Sequence, residues 1–247
     1  MEKGEGIDKL FFDLSSESRL GIMRELTQQN LRMNELSRKL DLTPTEVFRQ
    51  LQRLTDALIV QKLPDGTYAM TNYGRLTLQL LPSLDFTFRH KAYFLNHDIS
   101  RLPYQFVNRI GELSGGTLCI DSIENLNRSV QDIKEAENYV WVMGEKALES
   151  YGPAMQELVS KGIHFRFLFS DGLIPNYHSV PGEAPLVERR TLTTIPGIIF
   201  CTEKKAGVCL RSTDGRMDYA CFTGKDQMFV NWARDLFLHY WDTGKPC

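Results

Sequence analysis

Nowhere in the 247 residues do eighteen apolar positions follow one another, so the sequence contains no candidate membrane-spanning helix. Its start, Met1 to Leu10, lacks the apolar core of a secretion signal, and a cytoplasmic protein with no membrane partner is expected. Cysteine is sparse: Cys119, Cys201, Cys209, Cys221 and Cys247 form no CxxC pair and are odd in number. That argues against a zinc framework and a disulfide scaffold alike. Buried thiols are one reading of them, and a redox switch at Cys119, Cys201, Cys209 or Cys221 is another, the last three falling on neighbouring predicted strands within plausible reach of one another. An excess of charge of one sign is also missing: 29 basic against 31 acidic side chains leave a net charge of −2. A generally basic nucleic-acid coat is thereby excluded, and any DNA contact must come from a local face.

What the sequence does have is a strongly patterned stretch from Leu31 to Thr71. Leu36 and Leu40 form an i, i+4 apolar seam, with Glu35, Arg38 and Lys39 on the wetter side, and Asp41-Leu42-Thr43 closes that helix. The next helix opens with Thr43 as N-cap, Pro44 at the first helical position and Glu46 as the return partner of a capping box. Val47, Leu51, Leu54 and Leu58 commit one of its faces to a core. The opposite face carries Thr45, Arg49 and Gln52, flanked by Phe48 and Arg53. A β-hairpin follows, Leu58 to Leu63 and Thr67 to Thr71 around a Pro64-Asp65-Gly66 turn. This order is that of a winged helix-turn-helix, assigned to residues 1–81. Its scaffold is a helix at Ile7 to Leu14 and another, capped by Ser16 or Ser18, that runs through Leu26 and buries Leu20, Met23 and Leu26. Such a face suits the major groove of double-stranded DNA, where Arg bonds guanine, Gln pairs with adenine, and Thr or Phe touches a thymine methyl. Arg38 and Lys39, with Arg32, are phosphate candidates, and Lys62 is the single basic residue of the wing. The alternative for all of them is an ordinary solvated surface.

Residues 82–100 read as a linker or dimerisation helix. Leu76, Leu80 and Leu84 stand in register, a break is expected near Pro82, and Phe86, Phe88, Tyr93 and Phe94 continue beyond it. These side chains would serve either an isologous dimer or packing against the next domain. From 101 to 247 the pattern alternates. A helix from Pro103 to Leu113 is followed by a strand at Thr117 to Asp121, a helix at Leu126 to Ala136 and a strand at Tyr139 to Met143. A helix at Ala147 to Lys161 and a strand at Ile163 to Phe169 come next. Strand, helix, strand, helix, strand is the signature of a parallel α/β unit. A proline-rich loop from Ser170 to Glu188 leads to short strands at Thr191 to Thr194, Gly197 to Thr202, Gly207 to Ser212 and Met217 to Phe222. The chain then forms an aromatic helix, Asp226 to Asp242. The fold class is mixed α/β: a winged helix-turn-helix followed by an α/β domain with a mixed sheet.

From Met33 to Met70 the sequence resembles winged-helix domains of the arsenic-repressor type, with Val47-Phe48-Arg49-Gln50-Leu51 at the centre of the recognition helix. The resemblance implies base-facing roles for Thr45, Phe48, Arg49 and Gln52 and a phosphate contact for Arg53. The cysteine pair with which some members bind metal is missing, so no metal is expected there. Several further stretches are His97-Asp98-Ile99-Ser100, Arg109-Ile110-Gly111-Glu112-Leu113, Gly162-Ile163-His164-Phe165-Arg166, Asn231-Trp232, Leu236-Phe237 and Tyr240-Trp241. In order and spacing they resemble the archaeal methanogenesis-regulator family of winged-helix transcription factors. That likeness implies a phospholipase-D-like architecture for the second domain. The HxKxxxxD motif of such enzymes is missing, since none of His90, His97, His164, His178 or His239 has Lys two residues on. GxSxG, HExxH, Walker and GxGxxG motifs are missing as well.

The expectation is a non-enzymatic, sequence-specific DNA-binding transcriptional regulator, homodimeric, whose second domain senses a small-molecule effector or a redox state, with no cofactor named. The alternatives are an assembly protein using the winged helix to bind other proteins, and a hydrolase-like enzyme working through His97 or His164.

Overall fold

The computed structural model describes residues 6–145, 152–171 and 186–247. The chain divides into two compact units, Met1–Leu81 and Pro82–Cys247.

In the first unit α1 (Ile7–Leu14) buries only Leu14, and Ile7 and Phe11 stay exposed. Ser16 caps α2 (Glu17–Gln28), accepting from Arg19 N–H, and the helix buries Ile22, Met23 and Leu26 completely. α3 (Met33–Leu40) ends where Asp41 turns left-handed, and the Ser37 carbonyl there accepts from Leu42 N–H. α4 (Pro44–Asp56) buries Val47, Leu51 and Leu54. The periodicity misplaces Leu58: the helix has already ended, the residue takes φ +58° and is 70% exposed, and Ile59 fills the core instead. The hairpin consists of β1 (Val60–Lys62) and β2 (Tyr68–Met70), with Gly66 at φ +85° in the turn. Leu31 adds a one-residue third strand through reciprocal backbone bonds with Tyr68.

α5 (Asn72–Arg89) is continuous through Pro82, where a break was expected. Leu78 and Leu81 pack on the first unit's core, while Phe86 is buried in the core of the second, so contacts on both flanks outweigh a proline penalty of about 3 kcal/mol. Gly74 is required at the start of this helix, since a Cβ there would collide with the Ile59 carbonyl oxygen. Residues 82–100 belong to the second unit, to whose core Phe86 and Tyr93 contribute, Tyr93 from the short α6 (Lys91–Phe94).

The helix expected from Pro103 to Leu113 is split into α7 (Tyr104–Asn108) and a 3₁₀ segment, Ile110–Gly115. Here α5 comes close: a Cβ on Gly111 would lie 2.5 Å from Ser83 N, and Ser83 Oγ bridges Gly111 N–H and Asn108 O. β3 (Thr117–Cys119) stops before Asp121, which instead caps α8 (Ser122–Lys134) with its carboxylate. Then come β4 (Tyr139–Gly144), α9 (Gly152–Ser160), β5 (His164–Ser170) and β6 (Val187–Leu192), which starts inside the expected loop. The beginning of the helix expected at Ala147 and most of that loop, with Pro175, His178, Pro181 and Pro185, lie outside the described residues. β7 (Gly197–Thr202), β8 (Ala206–Leu210), β9 (Cys221–Gly224), α10 (Gln227–Thr243) and the two-residue β10 (Lys245–Pro246) complete the unit.

The eight strands form one sheet, ordered β10-β6-β5-β4-β7-β8-β9-β3. β4, β5 and β6 are parallel, and the other neighbours are antiparallel, so the sheet is mixed. The expected parallel run beginning at β3 is corrected: β3 sits at the far edge, antiparallel to β9. Alternation along each strand sends side chains to two cores. Val140, Val142, Phe165, Phe167 and Phe169 meet Ile133 of α8 and Met155, Leu158 and Val159 of α9. Met143, Ile199, Cys201, Val208 and Phe222 face the other way, onto Phe229, Trp232, Leu236 and Phe237 of α10.

Candidate nucleic-acid interface

The Thr43 side chain accepts from Glu46 N–H at 3.3 Å, which starts α4 at Pro44. The return bond expected from Glu46 is found one helix earlier, where the Glu35 carboxylate accepts from Arg32 N–H at 2.7 Å. The helix is held from behind by its leucines and by a buried polar contact that periodicity does not suggest. Arg19, only 4% exposed, donates Nη1–H to Gln50 Oε1 at 3.0 Å, Nη2–H to Phe12 O at 2.7 Å and Nε–H to Asp13 O. Burial, and next to it the charge of Arg53, pull the Arg19 pKa below its ordinary value, with Asp13 opposing. Gln50, read from sequence as part of the recognition helix, is therefore turned into the unit.

All eight residues expected to meet DNA are on the surface. Thr45, Phe48, Arg49 and Gln52 share the outer face of α4. Phe48 is 54% exposed, Arg49 has no partner among the described residues, and Gln52 reaches only Asp56, at 3.3 Å. The phosphate candidates are more engaged. Arg53 stands 5.8 Å from the Phe12 ring, Lys39 pairs with Glu25 at 2.8 Å, Arg38 donates to Asn34 O, and Lys62 lies 5.9 Å from the Tyr68 ring. An exposed ion pair such as Lys39–Glu25 is worth about 0.2–1 kcal/mol and is readily exchanged for a phosphate. Arg32 donates to Asp65 O at the wing tip. The Asp65 carboxyl is held below the usual range by Thr67, whose backbone N–H and hydroxyl both donate to it. Between Leu31 and Thr71 six basic residues face five acidic ones, a net +1, so the surface is only weakly attractive to phosphate.

The second unit uses its distinctive residues structurally. Arg109 pairs with Glu112 and with Asp235 of α10, and Trp232 Nε1–H donates to Phe106 O at 3.2 Å. His97 is buried, stacked on Tyr93 with ring centroids 3.6 Å apart, Nδ1 against Tyr93 O and Nε2 against Asp218. His164 is exposed at the start of β5. Cys201, Cys209 and Cys221 lie on the neighbouring strands β7, β8 and β9, as expected, but the reach expected among all three is corrected. Cys201 faces α10, and burial pushes its thiol up to about 12. The thiol that joins Cys221 and Cys209 is Cys119, which pairs directly with Cys221 across the β3–β9 ladder. Residue counting missed this because β3 lies at the sheet edge. All five cysteines are free.

No family model matches the chain. A stretch of 117 residues, 46% of this chain, is 26% identical to the methanogenesis regulatory protein FilR1 of Methanothrix harundinacea (strain 6Ac), and the match spans 26% of that relative's length. The resemblance to archaeal methanogenesis regulators is thus met by a direct sequence match. Among solved structures, the archaeal chromatin protein TrmBL2 aligns over 98% of this chain and 100% of its own, at 13% identity and a TM-score of 0.45. NucT from Helicobacter pylori aligns over 53% of this chain and 98% of its own, at 12% identity and a TM-score of 0.43. The phospholipase D family member Nuc from Salmonella typhimurium aligns over 49% and 90%, at 8% identity and a TM-score of 0.38. Among the described residues no helix is long and apolar enough to cross a membrane.

Proposed function

We propose that the protein is a sequence-specific DNA-binding transcriptional regulator that works as a homodimer in the cytoplasm, with the second unit acting as an effector domain and not as an enzyme. One observation carries the reading: α4 is locked by its buried face and leaves Thr45, Phe48, Arg49 and Gln52 open side by side. These are side chains that read base edges in a major groove. The match to a methanogenesis regulatory protein supports a regulatory role. The commitment of both His97 ring nitrogens supports a non-catalytic second unit.

Dimerisation follows from weak phosphate attraction, since a face of net charge +1 needs a second copy to bind tightly. Leu76, Leu80, Leu84 and Phe88, each more than half exposed along α5, are the contact proposed for that second copy. Leu80→Asp should then convert the dimer to monomer in sedimentation, and a monomeric parent protein would sink this part. The exposed Phe48 also suits a protein-binding role for the winged helix. Salt titration separates the two: DNA recovered from a random pool should lose affinity steeply as salt rises, whereas a protein-interaction module would show no salt-dependent duplex binding.

A further inference from the structure

Three of the cysteines lie in one row across the sheet. Cys119 of β3 is the register partner of Cys221 of β9. On the other side of β9, Val208 pairs with Phe222, and the same antiparallel register sets Cys209 of β8 opposite Cys221. Val208, Leu210, Ala220 and Phe222 belong to the α10 core and Leu118 packs against it, so strand alternation turns Cys209, Cys221 and Cys119 together to the other face. Cys221 is therefore the middle member, with one cysteine on each side. Cys201 points into the α10 core and is cut off from the row by the sheet itself.

Access falls along the row. Cys119 is half-buried at the sheet edge, whereas Cys221 and Cys209 are each 4% exposed. A hydrogen bond between the Cys209 and Cys221 thiols, with burial next to it, keeps Cys209 protonated. The edge strand is held in register by Asn125 of α8, which donates to Cys119 O at 2.8 Å and to Tyr219 O at 2.9 Å.

An antiparallel ladder brings opposite cysteines within bonding range. Opposite Cα atoms are about 4.5 Å apart in a non-hydrogen-bonded pair and about 5.5 Å in a hydrogen-bonded one. Both lie within the span of about 4.4–6.8 Å that a disulfide bridges. A residue in a strand flanked on both sides sends its N–H and C=O the same way, so Cys221 has a non-hydrogen-bonded partner, with the closer side chain, on one side. A metal fits the row less well. The outer two thiols stand two strand spacings apart, about 9–10 Å, and among the described residues no three His, Cys, Asp or Glu side chains converge as a metal site requires.

We infer that Cys119, Cys221 and Cys209 form a thiol–disulfide exchange site, which a small disulfide RSSR enters at Cys119 and from which the bridge is passed inward through Cys221 to Cys209. The Cys119 thiolate attacks one sulfur of RSSR, forming Cys119–S–S–R and releasing RS⁻, which takes up a proton. Cys221 loses its proton and attacks the Cys119 sulfur, closing the Cys119–Cys221 bridge and releasing the second RS⁻. The two protein thiols have then given two electrons and two protons to RSSR, which leaves as two RSH. Cys209 next attacks the Cys221 sulfur from the side opposite the bond that breaks, the direction in which the row already places it. The Cys209–Cys221 bond forms, Cys119 leaves as thiolate and is protonated, and no further oxidation occurs. Each attack requires a thiolate, so the last step, from a thiol held protonated, is the slow one.

This goes beyond the proposed effector role of the second unit and stands or falls without it. The full chain carrying Cys247→Ser, which removes the exposed terminal thiol, is reduced and then exposed to hydroxyethyl disulfide without denaturant. Alkylation of the remaining thiols, digestion and mass spectrometry locate the bridge. The chain should lose two hydrogens and two alkylatable thiols, with Cys119–Cys221 mapped first and Cys209–Cys221 accumulating later, while Cys201 stays a free thiol throughout. Cys209→Ala should stop the sequence at Cys119–Cys221. Cys119→Ser should leave both buried thiols reduced over the time in which the parent chain becomes bridged. A bridge containing Cys201, a parent chain that ends unreacted or with only an RS adduct, or a Cys119→Ser chain that bridges as fast as the parent would each overturn the inference. The first two outcomes are read from the parent chain, so a variant that fails to fold does not protect it.

Discussion

The helices α4 and α10 begin in the same way and end as opposites. Each is started by a side-chain oxygen accepting from its first turn, Thr43 in one and Asp226 in the other. α10 then buries Phe229, Val230, Trp232, Ala233, Leu236, Phe237 and Trp241, so residues from nearly every turn are inside. α4 buries Val47, Gln50, Leu51 and Leu54 and leaves the rest of its circumference open. A wrapped helix has no face left for a partner; a half-wrapped one with mixed Arg, Gln, Thr and Phe outside does. α10 is thus architecture, and the open face of α4 is what the proposed reading uses for recognition.

Trp232→Ala should break the wrapped helix hardest, costing about 3–5 kcal/mol in chemical denaturation. A cost below about 1 kcal/mol would mean that α10 is not the keystone of its core. Next comes Gly74→Ala, which forces a methyl against the Ile59 carbonyl and should cost about 1–3 kcal/mol in the first unit. Arg49→Ala should leave stability within about 0.5 kcal/mol yet remove about 1–3 kcal/mol of affinity for the selected duplex. Equal binding by parent and variant would show that the open face of α4 is idle. Thr43→Ala should cost about 0.5–2 kcal/mol by removing the cap, and a helix indifferent to it would owe its start to Pro44 alone. The smallest effect is chemical: at pH 8 Cys247 should react with maleimide, while Cys201, buried and with its thiol pushed up to about 12, stays unmodified until unfolding.

Much of α4 is legible in the sequence because its determinants are local: a cap, a proline, and leucines at helical spacing within thirteen residues. The hairpin is legible for the same reason, through Asp65-Gly66. What escapes is non-local. β3 reads as the first strand of a parallel run, but its partner β9 comes about a hundred positions later, and no periodicity encodes that pairing. Leu58 obeys the helical repeat yet lies two residues past the helix, where backbone geometry overrides hydrophobicity. Pro82 looks like a break and is carried through by packing on both flanks.

Arg19 never reaches the outer face of α4, yet its bond to Gln50 acts as a pin against rotation of that helix about its own axis. In the proposed reading, a turn of a few tens of degrees would carry Arg49 from one base pair toward the next. Loss of the pin, as in Gln50→Leu, would therefore surface as a changed preferred sequence recovered from a random pool, with overall affinity much less altered. Part of the protein's choice of site would thus be written in a side chain that the DNA never meets.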